Sequence, residues 1–365
     1  MSQDLTQLDH EIEGLCLRVP ELALDQLDLR LGRDRAGGEV WAASARYAVP
    51  PDMLSRLVDY WCDDFDFRAL EARLNELPLF AGRFGSGRLL FSHVRSSQPA
   101  AIPLLLLHSG FGSIAELEAL IGPLTEPVRY GGRPGSAFHV VCPALPGFGL
   151  SSAEANTSLE SIATSCAELM CALGYRRYLA HGSDVGSAVA RQLAARDSAH
   201  LAGAHVTSCP AFPEPDPLAL AALTGPEKSQ LALLTELEAA SAWQLPDSPI
   251  ELLALASTQL QDWLETEAWG SAVDQLLAGL TLSLLGGDAD VQASLRRQAR
   301  REGPRSTVPL GICTFPLDVP CLRRLAERRY HVTDWIEHER GGSMPALEQP
   351  ELLLASLVGF CARFR

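Results

Sequence analysis

The chain has 365 residues, 47% of them hydrophobic, and a formal net charge of −15. This composition predicts a globular protein with a large core. The negative charge argues against nucleic acid and anionic membranes as partners, because both would repel the protein. The acidic amino terminus has no apolar signal region, so we expect a soluble, cytoplasmic protein.

The cysteine content points away from disulfides and metal sites. Nine cysteines are present, an odd number without a C-x-x-C pair, and no histidines cluster at ligand spacing. An odd number of cysteines without such a pair is typical of a protein whose thiols stay reduced. We therefore expect buried, reduced cysteines, no cofactor and no metal.

The first third of the chain is predicted to be helical and then to enter a sheet. Apolar residues at i, i+3 and i+4 predict amphipathic helices over 19–33 and 50–77. The alternating stretch 83–96 predicts a hairpin. The continuous apolar run 103–108 is typical of a central strand buried on both faces.

Strands and helices then alternate. Helices are predicted over 114–124 and 158–173, and strands over 137–145 and 201–208. The same alternation returns after 304, with strands over 308–315 and 331–340. Such an order favours a mostly parallel sheet with right-handed crossovers.

The most informative stretch is 177–190, RYLAHGSDVGSAVA. It reads as a short strand, a tight turn and a helix start. Asp184 stands between Gly182 and Gly186, the small-x-nucleophile-x-small pattern of a nucleophile elbow. A carboxylate at the apex predicts attack on an electrophilic carbon to give an ester. The rival register, with Ser183 at the apex, would put bulky Val185 inside the turn, so Asp184 is favoured.

Residues 210–303 interrupt the alternation. They are rich in alanine and leucine, read as helices, and have proline-containing joints around 213–217 and 246–249. This composition predicts a helical lid over the active site. All six tyrosines lie outside it, so Trp243 and Trp263 are the predicted aromatic lining.

Several segments together resemble the epoxide hydrolase family of α/β-hydrolases, of the microsomal and bacterial type with an amino-terminal extension. They are the extension-like stretch 58–80, the turn Pro146–Gly149, the elbow, the lid-like stretch 247–265, and RGGSMPA at 340–346. The resemblance implies an α/β-hydrolase fold, a mostly parallel sheet with helices on both faces. It also implies four regions: an extension over 1–82, core over 83–209, a lid over 210–303, and core over 304–365.

The resemblance also implies residue roles. Asp184 would be the nucleophile, and Asp318 the carboxylate that orients the family's histidine. Ser343 stands where that histidine is expected, so the water-activating base is missing. Gly110 and Phe111, at a turn where the family has His-Gly-x-Pro, would form an oxyanion hole with the Val185 N–H. The family's two lid tyrosines, which protonate the epoxide oxygen, also have no counterpart.

Three hypotheses remain open. The first is a bacterial enzyme of specialised metabolism that opens, cyclises or eliminates an electrophile through Asp184. The second is an ordinary epoxide hydrolase in which His338 or His181 substitutes for the missing base. The third is a non-catalytic descendant that binds a ligand or a partner protein. For an enzyme we expect a small apolar organic substrate; a homodimer is left open.

Overall fold

The computed structural model describes residues 11–85, 87–154, 156–213, 220–239, 244–264 and 270–365. Its strands form one sheet in the order β1-β2-β3-β5-β4-β6-β7-β8-β9. The strands are β1 (Glu13–Leu15), β2 (Leu79–Phe84), β3 (Gly87–Val94), β4 (Ile102–Leu107), β5 (Phe138–Pro143), β6 (Tyr178–Gly182), β7 (Leu201–Val206), β8 (Ser306–Thr314) and β9 (Tyr330–Glu337).

The sheet is antiparallel at one edge and parallel elsewhere. β2 pairs antiparallel with β1 on one side and with β3 on the other, and β3 also pairs antiparallel with β5. From β5 through β4, β6, β7 and β8 to β9, every pairing is parallel. The carboxyl ends of these parallel strands therefore meet at one edge, where α/β sheets place their sites.

Helices cover both faces of the sheet, so the predicted mostly parallel α/β architecture is confirmed. One face packs against α6 (Leu159–Ala172) and α7 (Val185–Arg196). The other packs against α5 (Glu118–Thr125) and the carboxyl-terminal α15 (Pro350–Cys361). The central strand β4 is buried through Leu104–Leu107, as its uninterrupted apolar run predicts.

The amino-terminal region contains α1 (Glu21–Ala36), α2 (Glu39–Tyr47), α3 (Pro51–Asp63) and α4 (Phe67–Leu74). The single helix predicted over 50–77 is wrong: it divides into α3 and α4. Asp66 begins α4 as its N-cap, because its carboxylate accepts a hydrogen bond from the Ala69 N–H at 2.9 Å. The region also contributes β1 and β2 to the sheet.

The described part of the predicted lid segment is mostly helical. Its helices are α8 (Gly225–Ala239), α9 (Pro249–Ser257), α10 (Gln261–Leu264), α11 (Gly270–Gly286) and α12 (Ala289–Ala299). α9 and α11 share a buried apolar cluster with α1, α2 and α3. The amino-terminal helices therefore hold the predicted lid. The short helices α13 (Arg323–Arg329) and α14 (Pro345–Glu348) complete the fold.

The cysteines are all free thiols, and no described helix is long and apolar enough to cross a membrane. Cys142, Cys166, Cys313 and Cys361 are buried, as their apolar surroundings predict. Burial raises the pKa of Cys166 to about 12, which keeps its thiol protonated and inert.

The glycine at 186 gives a first testable prediction. A Cβ there would lie 2.4 Å from the Leu107 carbonyl oxygen and 2.8 Å from that of His108. Because these are backbone atoms, Gly186→Ala should cost on the order of 3 kcal/mol of unfolding free energy in urea melts. The control is Gly359→Ala in α15, where a Cβ meets nothing within 4 Å. It should gain about 0.5–1 kcal/mol. Equal effects would contradict the close approach.

Candidate active site

The site begins at the turn between β6 and α7. Asp184 precedes the first residue of α7 and has φ 48° and ψ −114°. This left-handed φ is unusual for a residue with a side chain, and such strain persists only where the surroundings hold it. A Cβ at Gly182 would lie 2.2 Å from the Gly186 carbonyl carbon, so the turn requires glycine at both positions. Asp184, and not Ser183, occupies the apex.

The turn after β4 faces this apex. The Gly110 N–H donates a hydrogen bond to Asp184 Oδ2 at 2.9 Å. A Cβ at Gly110 would lie 2.8 Å from the same oxygen and 3.1 Å from the Val185 side chain. Gly110 thus lies where the oxyanion turn was predicted, in direct contact with the candidate nucleophile. Phe111 is buried next to it.

The carboxylate of Glu116, which no sequence pattern singled out, holds this turn. Glu116 Oε2 accepts hydrogen bonds from the Ser109 N–H at 2.9 Å and from the Ser109 hydroxyl at 2.8 Å. Its Oε1 is buried without a hydrogen-bond partner. Burial raises the pKa of Glu116 to about 7, although the Ser109 donors oppose the shift. The serine that stands in place of the family's glycine therefore has a local function: it anchors the turn.

Asp318 and Ser343 meet beside the apex. The Ser343 hydroxyl donates to Asp318 Oδ1 at 2.8 Å, and the Val319 N–H donates to the same oxygen at 2.7 Å. Burial raises the pKa of Asp318 to about 7; the Asp184 charge adds to the rise, while the Val319 N–H and the Ser343 and Thr207 hydroxyls lower it. A carboxyl group with a pKa near neutrality can bind or release a proton at working pH.

Glu348 is a further buried acid behind Ser343. It accepts the Met344 N–H at 3.0 Å and lies against Gly342, whose Cβ position is 3.1 Å from Glu348 Oε2. Burial raises its pKa to about 8, and the charges of Asp318 and Glu116 add to this. Sequence reasoning missed Glu348 because a glutamate in a short helix is normally exposed.

Arg296 of α12 is the third residue that sequence reasoning missed, after Glu116 and Glu348. Its guanidinium lies 3.4 Å from the centre of the Phe111 ring and donates to the Gly110 carbonyl. Asp184 Oδ2 and Arg296 Cζ both flank the Gly110 Cβ position, so the two atoms lie within about 6 Å of each other. Burial lowers the pKa of Arg296 to about 10, and the Asp184 charge opposes the shift. At neutral pH the side chain remains a cation.

The substitute histidines point elsewhere. His181 Nδ1 lies 3.0 Å from His205 Nδ1, and its Nε2 has no partner. The His338 ring stacks on Phe315, and its Nε2 lies 2.8 Å from the Ser356 hydroxyl. Neither ring forms a hydrogen bond with Asp184 or Asp318. His108 Nε2 accepts the Leu145 N–H at 2.9 Å, which is a structural contact.

The predicted lid aromatics contribute little to the described site. Trp243 lies outside the described residues. Trp263 is partly buried and packs in the cluster shared with the amino-terminal helices.

Three tyrosine hydroxyls have partners elsewhere: Tyr60 at Asp274, Tyr178 at Asp197, and Tyr330 at the Gly303 N–H. Within the described ranges, no group of three or more His, Cys, Asp or Glu side chains could hold a metal ion.

Comparison with known proteins agrees with this geometry. The family model "Epoxide hydrolase N terminus" matches residues 12–117, and the model "Alpha/beta hydrolase family" matches residues 104–356. A putative epoxide hydrolase of Stigmatella aurantiaca is 32% identical, over 93% of this chain and 82% of its own length. The chain belongs to the epoxide hydrolase family of α/β-hydrolases. Epoxide hydrolase 1 of Sus scrofa is 24% identical, over 96% of this chain and 89% of its own.

Solved structures share the fold of this epoxide-hydrolase-type chain. The epoxide hydrolase of Aspergillus niger superposes with a TM-score of 0.73 and 24% identity, over 97% of this chain and 96% of that one. The juvenile hormone epoxide hydrolase of the silkworm Bombyx mori gives 0.74 and 20%, over 98% and 95%. At these identities the likeness establishes the α/β-hydrolase fold alone.

Glu348 gives a prediction for stability against pH. Its folded pKa of about 8 exceeds the ordinary value of 4.5, so folding takes up a proton. The contribution of Glu348 to the free energy of unfolding is therefore fully present below about pH 4.5, and it is lost as the pH rises through 8. Glu348→Gln keeps an acceptor for the Met344 N–H and removes the titration. Urea melts should show a gain on the order of 1 kcal/mol over wild type at pH 8.5 and much less at pH 5.5.

The matched control is the exposed Glu351 in α15. Glu351→Gln should shift stability equally at both pH values. A Glu348→Gln effect that does not depend on pH would mean that the carboxyl group stays ionised in the folded protein.

Proposed function

We propose that this chain opens an epoxide, or another activated carbon electrophile, through attack by the Asp184 carboxylate. The observation that carries the proposal is the strained elbow at Asp184 with the Gly110 N–H on Oδ2. A half-buried carboxylate presented on such a turn and held in one orientation is suited to in-line attack. The proposal places the enzyme in the cytoplasm of a bacterium, in specialised metabolism.

The first step conserves charge. An Asp184 oxygen bonds to the electrophilic carbon, the carbon–oxygen bond of the epoxide breaks, and its electron pair stays on the ring oxygen as an alkoxide. The enzyme becomes a neutral ester, so the negative charge moves to the product oxygen. Arg296 lies within about 6 Å of Asp184 and offers a cation with N–H donors to that oxygen. It would supply part of what the lid tyrosines supply in the family.

The second step distinguishes this chain from the family pattern. Ester hydrolysis needs a base that activates water, and the hydroxyl of Ser343, whose pKa is far above neutrality, cannot serve. Ser343 donates to Asp318 at the position where the resemblance implies an imidazole. We therefore propose release without rapid water attack. In ring closure, a second nucleophilic group of the substrate bonds to the esterified carbon, the bond from that carbon to the Asp184 oxygen breaks with its electron pair returning to the carboxylate, and the proton of the attacking group passes to the alkoxide. In elimination, the alkoxide takes a proton from the neighbouring carbon, a carbon–carbon double bond forms, and the same carbon–oxygen bond breaks.

A second candidate is slow ordinary hydrolysis with Asp318 as the base. One observation favours it: the pKa of Asp318 is raised to about 7, close to the value a general base needs. The two candidates differ in what Asp318→Asn does. Asp318→Asn would abolish water attack if Asp318 is the base, and it would leave ester formation intact under either candidate.

The test is a covalent adduct. With excess styrene oxide, the wild-type protein should gain the mass of one epoxide on the tryptic peptide 178–191, and fragmentation should place it on Asp184. Asp184→Asn should lose the adduct at least 100-fold, because a neutral amide is a poor nucleophile. The control Asp25→Asn, on an exposed face of α1, should label like wild type. Absence of adduct and of turnover with a panel of electrophiles would favour the ligand-binding descendant.

Ser343→His is the companion experiment. It introduces an imidazole next to Asp318, which already accepts a hydrogen bond from position 343. Pre-formed ester should then break down at least about tenfold faster and release diol. Ser343→Ala, which removes the hydroxyl without adding a base, should leave the ester lifetime unchanged. Rapid multiple-turnover diol formation by the wild type would contradict the missing base.

A further inference from the structure

A small cavity opens over Phe111, between the turn after β4 and the helices of the predicted lid. Its volume is about 40 Å³, room for roughly three water-sized groups. The lining combines apolar side chains with polar groups from α9 to α12: Phe111, Leu245, Leu255, Gln259, Ala293, Arg296, Arg297 and Arg300. Because Arg296 also lies next to Gly110, the cavity adjoins the Asp184 turn.

Three guanidinium groups therefore converge on one cavity in a protein of net charge −15. Arg296 and Arg300 are four residues apart along α12 and share one face of the helix, and Arg297 lines the cavity from the neighbouring face. Among the described residues, none of the three forms a salt bridge with a carboxylate. Arg300 donates only to the Leu237 carbonyl, at 3.3 Å, and Arg296 to the Gly110 carbonyl.

The helix dipole does not account for this arrangement. Cations are favoured in the last turn of any helix, where they face the carbonyl ends. That explains arginine at the end of α12 but not why the three side chains line one cavity. Two buried polar atoms of lining residues also have no partner: the Arg296 Nε–H donor, which suits an anion, and Gln259 Oε1, an acceptor that a carboxylate would not satisfy. Unsatisfied buried groups of this kind point to a polar ligand.

We propose that the substrate of the Asp184 site carries a carboxylate, which Arg296, Arg297 and Arg300 hold in this cavity. The inference rests on the proposed function, since it names the substrate class for that site. Guanidinium groups match a carboxylate through paired N–H donors. The small volume suits a three-atom carboxylate better than a phosphate group.

The position of Arg296 fixes where the reacting carbon lies. Arg296 Cζ is within about 6 Å of Asp184 Oδ2, so a carboxylate on the arginines leaves room for about one or two bonds to the attacked carbon. The substrate is then an epoxide with a carboxylate bonded to one ring carbon and an apolar body on the other ring carbon. Repulsion between that carboxylate and Asp184 is offset by the three cations.

Binding is tested with an unreactive probe. Sodium trans-cinnamate, which has no epoxide, should bind wild-type protein in calorimetry more tightly than cinnamyl alcohol. Arg297→Gln with Arg300→Gln should weaken cinnamate binding at least about tenfold and leave the alcohol unchanged. Arg301→Gln with Arg328→Gln removes the same charge from exposed positions outside the cavity and should have no effect. Thermal melts check that each variant is folded.

Reactivity is tested with a matched pair of epoxides. trans-3-Phenylglycidate should label Asp184 at least about tenfold faster than neutral trans-3-phenylglycidol, and the Arg297/Arg300 variant should remove that preference. Equal labelling by both probes, or cinnamate binding that does not depend on the two arginines, would overturn the anionic substrate. If neither epoxide labels Asp184 while cinnamate binding still depends on the arginines, the nucleophile proposal fails and the anion site stands.

Discussion

The site depends on one close backbone approach, that of Gly186 to the end of β4. Leu107 and His108 carbonyl oxygens occupy the space that any side chain at 186 would need. This contact fixes the first turn of α7 against the central strand and holds Asp184 at φ 48°. It also brings the Gly110 N–H to the Asp184 carboxylate. Without it, the strained conformation would relax and the Asp184 carboxylate would lose its orientation.

Three acidic side chains, of types that are normally exposed, are buried near this contact. Burial raises the pKa of Glu116, Asp318 and Glu348. Each protonated neighbour removes a negative charge from the surroundings of Asp184, which limits the repulsion that ionised carboxylates at close range would create. Arg296 adds a cation at the same place. This arrangement supports the proposal that Asp184 acts as a nucleophile while neighbouring carboxyl groups hold protons.

Family membership establishes the fold of this chain, whereas the groups at the site decide which reaction it supports. The sheet and the helices on its two faces are those of an epoxide-hydrolase-type α/β-hydrolase. A fold of this kind supports several reactions, and the reaction is set by the groups at the site. Here a serine donates to Asp318, a phenylalanine lies under an arginine, and three arginines line the cavity above. These features support the proposed electrophilic substrate with an anionic end.

The sequence alone determined the sheet alternation and the elbow, since buried strands and glycine-flanked turns have local patterns; through the family resemblance it also indicated Asp318 and Ser343. It missed the break at Asp66, a capping choice inside a continuous helical pattern. Only the tertiary structure decided the surroundings of Asp184. Arg296 contacts Gly110 from 186 residues away, and no local pattern records such a contact. Burial, which turns ordinary glutamates into proton-holding groups, likewise arises only when distant segments pack together.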